Sequence, residues 1–192
     1  PGVTKEEERI TWPPMAILPI VCIPDPILRE TSTPVENFDA ELKALVADMF
    51  ETMYDAPGIG LAAVQVGVPK RLLVIDLQEG EDAEGKPVKD PRVFINPEVL
   101  EESDTFVPYK EGCLSIPDQY ADVMRPDRIR AKWQDADGGW HEEEISGLLA
   151  VCLQHEIDHL NGVLFIDHLS RLKREMLLKK LAKGRKEGTI AA

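Results

Sequence analysis

The sequence predicts an α+β fold in which antiparallel β-sheets pack around a central buried helix, with a further helix at the C-terminus. Three observations carry this. Residues 148–160 are apolar on nearly every side, as a helix enclosed by other elements must be. The short β-type runs lie together between helical segments and do not alternate with them, which argues against a parallel sheet with crossover helices. Two of those runs flank Asp135-Ala136-Asp137-Gly138-Gly139, a hairpin signal.

Taken in order, residues 1–14 are polar and contain Glu6-Glu7-Glu8, with neither the apolar core of a secretory signal nor the Arg-rich, acid-poor character of a transit peptide. They read as a flexible extension on a folded domain at 15–192. Residues 37–54 predict a helix, because Leu42, Leu45, Val46, Met49, Phe50 and Met53 share one face at a 3.6-residue period. Asn37 or Asp39 would cap it and Pro57-Gly58 end it. The aliphatic run 71–77 and the run 92–96 predict strands separated by a charged loop, 78–90. Residues 119–123, 128–134 and 140–145 predict three more. The buried helix 148–160 stops at Asn161-Gly162. A last helix, 171–183, is capped by Ser170 and stopped by Gly184, and Leu169, Leu172 and Met176 form its expected docking stripe.

Composition narrows the function classes. The 192 residues are 43% hydrophobic and 30% charged, which fits one soluble domain with a real core. No apolar run approaches the roughly 20 residues of a membrane span. Three cysteines at irregular spacing do not form a disulfide framework and point to a reducing compartment, the cytoplasm. The net charge of −13 is uneven: residues 169–192 carry +6 and the remainder −19. An acidic body excludes specific DNA binding as a general role. The basic segment, 170–184, stands apart from it.

The chemistry is concentrated in the buried helix, at His155-Glu156-Ile157-Asp158-His159. Residues four apart lie one turn along the same helix face, so two imidazoles there can share a metal ion, and Glu156 beside them can reach a water. The bland alternative is two surface histidines on a charged helix. A third protein ligand is needed. A zinc-peptidase continuation would place a histidine where Phe165 stands. Glu175 is another candidate, but it reads more simply as a solvated partner of Lys179. Cys113, in Glu111-Gly112-Cys113-Leu114-Ser115, is the stronger one, since thiolate suits borderline and soft divalent ions; otherwise it is an inert buried thiol. In Gly58-Ile59-Gly60-Leu61-Ala62-Ala63-Val64-Gln65 the lone polar side chain, Gln65, is either a core amide or a donor aimed at an oxyanion. Asp158 lies on the helix side away from the histidines and needs a partner, for which Arg125 is the candidate.

These three segments together resemble the GxGLAAxQ, EGCLS and HExDH motifs of peptide deformylases, in the family's order, and the resemblance runs from about Ile17 to Lys183. It implies removal of formate from the N-terminal formyl-methionine of nascent polypeptides. It implies one divalent ion on Cys113, His155 and His159, with Fe2+ as the physiological ion and Zn2+, Ni2+ or Co2+ as possible occupants. Glu156 would be the proton shuttle, and Gln65 and the Leu114 backbone N–H oxyanion donors. Ile59, Leu148, Val151 and Cys152, with Tyr109 nearby, would line the methionine slot, and Gly60, Glu111 and Gly112 would also contact substrate. The basic C-terminal helix resembles a ribosome-docking element near the exit site. Tyr120 departs from the family pattern, standing where many members have arginine. Three other readings stay open: a zinc endopeptidase using Glu175, a non-catalytic domain with a structural metal, and a family member acting on another acylated amine.

Overall fold

The computed structural model describes residues 15–190, so the expectation for residues 1–14 lies outside it. Helix α1 (Ala40–Asp55) begins at Asp39, whose side chain accepts a hydrogen bond from the Leu42 N–H. It is followed by strands β1 (Gly60–Ala62), β2 (Leu72–Ile75), β3 (Arg92–Glu102), β4 (Phe106–Cys113), β5 (Ile116–Pro126), β6 (Arg128–Gln134) and β7 (Trp140–Ser146), then helices α2 (Gly147–Leu160) and α3 (Arg171–Lys186). One antiparallel sheet has the order β1-β2-β3-β6-β7, and β4 and β5 form a separate hairpin.

Burial explains the sequence pattern. Strand β2 is aliphatic throughout because both faces are covered. Leu73 and Ile75 join Phe94, Ile129 and Trp133 against Leu153, Ile157 and Leu160 of α2. Leu72 and Val74 face Met49 and Met53 of α1. A third cluster lies beyond: Ile116 and Val123 of β5 pack against Phe165, Ile166, and Leu177 and Leu181 of α3. Helix α2 is thus enclosed, and Asp158 is the one residue from Ala150 to Leu160 that is not buried. The turn at 135–139 closes the β6–β7 hairpin, with the Asp135 N–H donating to the Gly139 carbonyl at 2.9 Å.

Four expectations are corrected. Strand β3 continues past Asn96 and Pro97, because the register shift between Ile95 and Glu98 takes the proline out of the ladder. Strand β4, with a proline and a glycine, is not among the strands the sequence predicts; in a two-stranded sheet every strand is an edge, where proline is tolerated. Helix α3 runs through Gly184 to Lys186. Gly184 is no stop: it is buried, and a Cβ there would lie 2.5 Å from Ile190 Cδ1. Nor do Leu172 and Met176 dock α3, being 68% and 63% exposed. Leu177, Leu181 and Gly184, at i, i+4 and i+7, form the inward stripe, and of the expected residues only Leu169 packs against it.

Candidate metal centre

The fold brings three distant segments together over the buried helix. Strand β4 delivers Cys113, the turn after β1 delivers Gln65, and α2 delivers His155, Glu156 and His159. The ligand atoms of Cys113, His155 and His159 all lie within 4.8 Å of one another, and among the described residues this is the group of potential ligands that could hold a metal ion. Cys113 Sγ is 3.3 Å from His159 Nε2. Two such donors sharing one tetrahedral divalent ion stand roughly 3.5 Å apart, given the usual metal–sulfur and metal–nitrogen distances. Glu175 belongs to no such group; it accepts from Arg171 Nε at 2.8 Å, so its partner is Arg171 and not Lys179.

The electrostatics fit a cation in this place. Burial holds His159 neutral, well below the usual imidazole range. Burial opposes protonation of His155 too, but its hydrogen bonds to Cys113 and Glu111 outweigh that and raise it well above the ordinary value. Positive charge is therefore wanted where thiol and imidazoles meet, and a divalent ion supplies it without the proton. Apart from Cys113, His159 has no hydrogen-bond partner among the described residues.

Glu111 fixes His155. Its Oε2 lies 2.8 Å from His155 Nδ1, which would leave Nε2 to face a bound ion. The same carboxylate accepts from Arg125 Nε at 2.7 Å and Nη2 at 3.0 Å. Burial alone would raise Glu111; the hydrogen bonds from His155 and Arg125 win and hold it down to about 2. Arg125 turns its remaining nitrogen, Nη1, to Asp158 Oδ2 at 2.7 Å, the partner expected for that residue, and His168 Nε2 lies 2.8 Å from the same oxygen. Glu111 lines the cleft, and both of its carboxylate oxygens are committed to His155 and Arg125. Removing Asp158 strands one face of a 4% exposed guanidinium. Asp158→Ala should cost about 1.5–3 kcal/mol in urea unfolding. An unchanged midpoint would show that Asp158 is not part of this network's stability.

Gln65 is a buried amide held by named partners. Its Oε1 accepts from the Ala62 N–H at 2.9 Å, which orients the amide, and its Nε2 points to Ser115 Oγ at 3.0 Å and Cys113 Sγ at 3.5 Å. Glu156 is buried, and loss of solvation pushes its carboxyl up to about 7. Among the described residues its Oε2 has no hydrogen-bond partner. Gly60 sets where the carboxylate lies: a Cβ there would be 2.5 Å from Glu156 Oε1.

A cleft of about 480 Å³ opens over these groups. Ile59, Gly60, Gln65, Tyr109, Glu111, Gly112, Cys113, Leu114, Val151, Cys152, His155 and Glu156 reach its wall, whereas Leu148 packs against the sheet core and does not. Burial pushes the Cys152 thiol up to about 12, so it is a packing group and no nucleophile. Sequence reasoning missed Asp118 and Gln119, which also line the cleft and carry no motif signal.

An HExxH helix completed by a cysteine sulfur on a neighbouring hairpin, open to a cleft, defines a metal-dependent hydrolase. Comparison with known proteins narrows the class. The sequence model of polypeptide deformylase matches residues 17–175. The peptide deformylase of Rhizorhabdus wittichii is 69% identical over 172 residues, covering 90% of this chain and 97% of that protein, and that of Zymomonas mobilis is 67% identical with the same coverage. The crystal structure of a peptide deformylase from Legionella pneumophila is 46% identical with a TM-score of 0.80, covering 91% of this chain and 98% of that one. The chain belongs to the polypeptide deformylase family, and is a metal-dependent hydrolase acting on formyl-peptides. Among the described residues no helix is long and apolar enough to cross a membrane.

Proposed function

We propose that this enzyme removes the formyl group of N-terminal formyl-methionine at an ion held by Cys113, His155 and His159, with Glu156 moving the proton. One observation carries the reading: three convergent ligand atoms lie beside a buried carboxylate, one oxygen of which has no hydrogen-bond partner among the described residues. The bound ion supplies Lewis-acid polarisation and acidifies water toward a pKa of ~7. Glu156 Oε2 takes the proton of the attacking water and passes it to the departing amine. Gln65 Nε2 and the Leu114 N–H donate to the oxygen that gains negative charge; one such donor is worth about 2.7–4 kcal/mol. The formyl carbon–nitrogen bond breaks, and formate and a free amine leave. Ile59, Tyr109, Val151 and Cys152 enclose the methionine side chain. Backbone groups at Gly60 and Gly112 hold the peptide in extended form, as strand addition does. Glu111 acts through His155 as a positioning residue.

Two imidazoles and a thiolate suit several borderline divalent ions. We take Fe2+ as the physiological one, with Zn2+, Ni2+ and Co2+ able to occupy the same ligands. The test is anaerobic purification, metal analysis and formate release from a formyl-Met peptide. An iron-loaded enzyme beside an oxidisable thiolate should lose activity in air, and nickel or cobalt substitution should preserve it. Air-stable activity from protein containing only zinc would overturn the iron assignment. Failure to release formate under any loading would overturn the activity.

The cytoplasm and the ribosomal exit region are the proposed place of work. Lys173, Lys179, Lys180 and Lys183 are exposed on α3, whereas Arg185 Nη1 donates to the Ile23 carbonyl at 2.7 Å and belongs to the fold. Exposed lysines facing RNA phosphate give binding that weakens steeply with salt. Changing Lys179, Lys180 and Lys183 to Glu should abolish co-sedimentation with ribosomes and leave hydrolysis of a formyl-Met tripeptide within twofold of wild type. Equal co-sedimentation at low salt would rule this helix out.

A further inference from the structure

The two proposed oxyanion donors stand on opposite sides of a seam. Gln65 follows β1, in the five-stranded sheet, whereas Leu114 lies in the turn between β4 and β5, in the separate hairpin. Such donors serve a developing charge only if their places are fixed before the reaction. A side-chain bond crosses the seam at this point: Gln65 Nε2 donates to Ser115 Oγ at 3.0 Å, and both residues are buried. The orientation of the amide is unambiguous, because Oε1 accepts from the Ala62 backbone N–H at 2.9 Å, a group that can only donate. The nitrogen therefore turns two N–H groups toward the hairpin. Ser115 takes one. The other lies on the side of Cys113 Sγ, 3.5 Å away, where the ligand atoms converge and the cleft begins. Ser115 is itself held, because residues 21–23 tie both sides of the seam together. The Val21 N–H donates to the Gln65 carbonyl at 2.7 Å, and the Ile23 N–H donates to the Ser115 carbonyl at 3.0 Å. Between them, Cys22 Sγ lies 3.7 Å from the Leu114 carbonyl.

We propose that Ser115 is a positioning residue for the hydrolysis: its hydroxyl takes one N–H of Gln65 and so aims the other at the oxygen that gains negative charge. This rests on the reading of Gln65 as an oxyanion donor. A carbonyl oxygen accepts over a broad range of directions, so the Ala62 bond alone does not fix the plane of the amide. A second bond, at the nitrogen, does. Without the hydroxyl a buried N–H is left unpaired, which is costly, and the amide turns toward another acceptor. Cys113 Sγ is within its reach. An amide committed to the sulfur no longer points at the substrate oxygen, and a misplacement of about 1 Å near the reacting atoms costs on the order of 10²-fold in rate. Ser115 touches neither substrate nor ion in this scheme; it acts through Gln65.

The test is kinetic, on metal-loaded enzyme with a formyl-Met tripeptide, and compares wild type, Ser115→Ala, Gln65→Ala and the double variant well below their melting temperatures. Gln65→Ala should lose about 10²–10³ in kcat, the usual cost of one oxyanion donor. Ser115→Ala should lose about 10–100-fold in kcat, with KM within about twofold and one ion per chain retained. A substitution that only loosened the core would not confine its effect to kcat. In the Gln65→Ala background, Ser115→Ala should cost less than about threefold, since residues acting through one group are strongly non-additive. An equal loss in both backgrounds would show that Ser115 acts apart from Gln65 and overturn the proposal. Loss of the ion from Ser115→Ala would assign the residue to the support of Cys113 and overturn it as well. If Ser115→Ala stays within about threefold of wild type while Gln65→Ala is slow, Gln65 is a donor that needs no such positioning. A Gln65→Ala variant as fast as the wild type would remove the donor itself, and the role of Ser115 with it.

Discussion

Cys113→Ala, His155→Ala and His159→Ala should each strip the enzyme of its divalent ion and of detectable formate release. Their ligand atoms lie within 4.8 Å of one another, and two donors from a helix cannot close a tetrahedral protein site alone. The expected effects are graded by distance from the ion. Glu111→Gln keeps all three ligands but loses the carboxylate that orients His155 Nδ1 at 2.8 Å. It should cost about 10–100-fold in metal affinity or rate, the usual penalty for losing such an orienting partner. The readouts are metal content per chain after dialysis against a weak chelator and formate release, with circular dichroism to check the fold. One tightly bound ion per chain in Cys113→Ala would sink the assignment. The endopeptidase reading would then need Glu175, which the structure ties to Arg171 on α3.

The sequence made the helices and strands β2, β6 and β7 legible because their signals are local. The period of Leu42, Met49 and Met53 and the capping by Asp39 need no tertiary information. The HExxH spacing fixes its own geometry for the same reason. What stayed hidden depends on neighbours. Strand β1 is three residues of Gly-Leu-Ala, a strand only because β2 pairs with it. The docking face of α3 was misjudged because Leu172, Met176, Leu177 and Leu181 offer two apolar stripes, and which one is buried depends on where Ile116 and Phe165 stand. In the site, the residue types were readable but their division of labour was not. Glu111 carried a motif signal, yet its role as the clamp between His155 and Arg125 appears only when β4 and α2 meet. Gly60 is a further case: the motif marks a glycine, and only the fold shows which carboxylate needs the space.

That space yields the second large effect. Glu156→Ala should keep the ion and lose about 10²–10⁴ in kcat, since general acid–base transfer is the role proposed for its carboxylate. Gly60→Ala should reproduce much of the loss with every catalytic group still present. A methyl group there would sit 2.5 Å from Glu156 Oε1, 3.0 Å from Cδ and 3.1 Å from Cγ, so the carboxylate must move. Glu156 is 5% exposed and has little room to move without giving up its line to the cleft. The backbone has no reason to object, because Gly60 is not among the positive-φ glycines. The two losses should not add: residues acting through one group are strongly non-additive. Once the carboxylate is gone, the methyl group displaces nothing, so Gly60→Ala in the Glu156→Ala background should change kcat by less than about threefold. If it costs as much there as in the wild type, Gly60 acts on the bound peptide and not on Glu156. In that case the loss should appear in KM as well, which the same kinetic series measures.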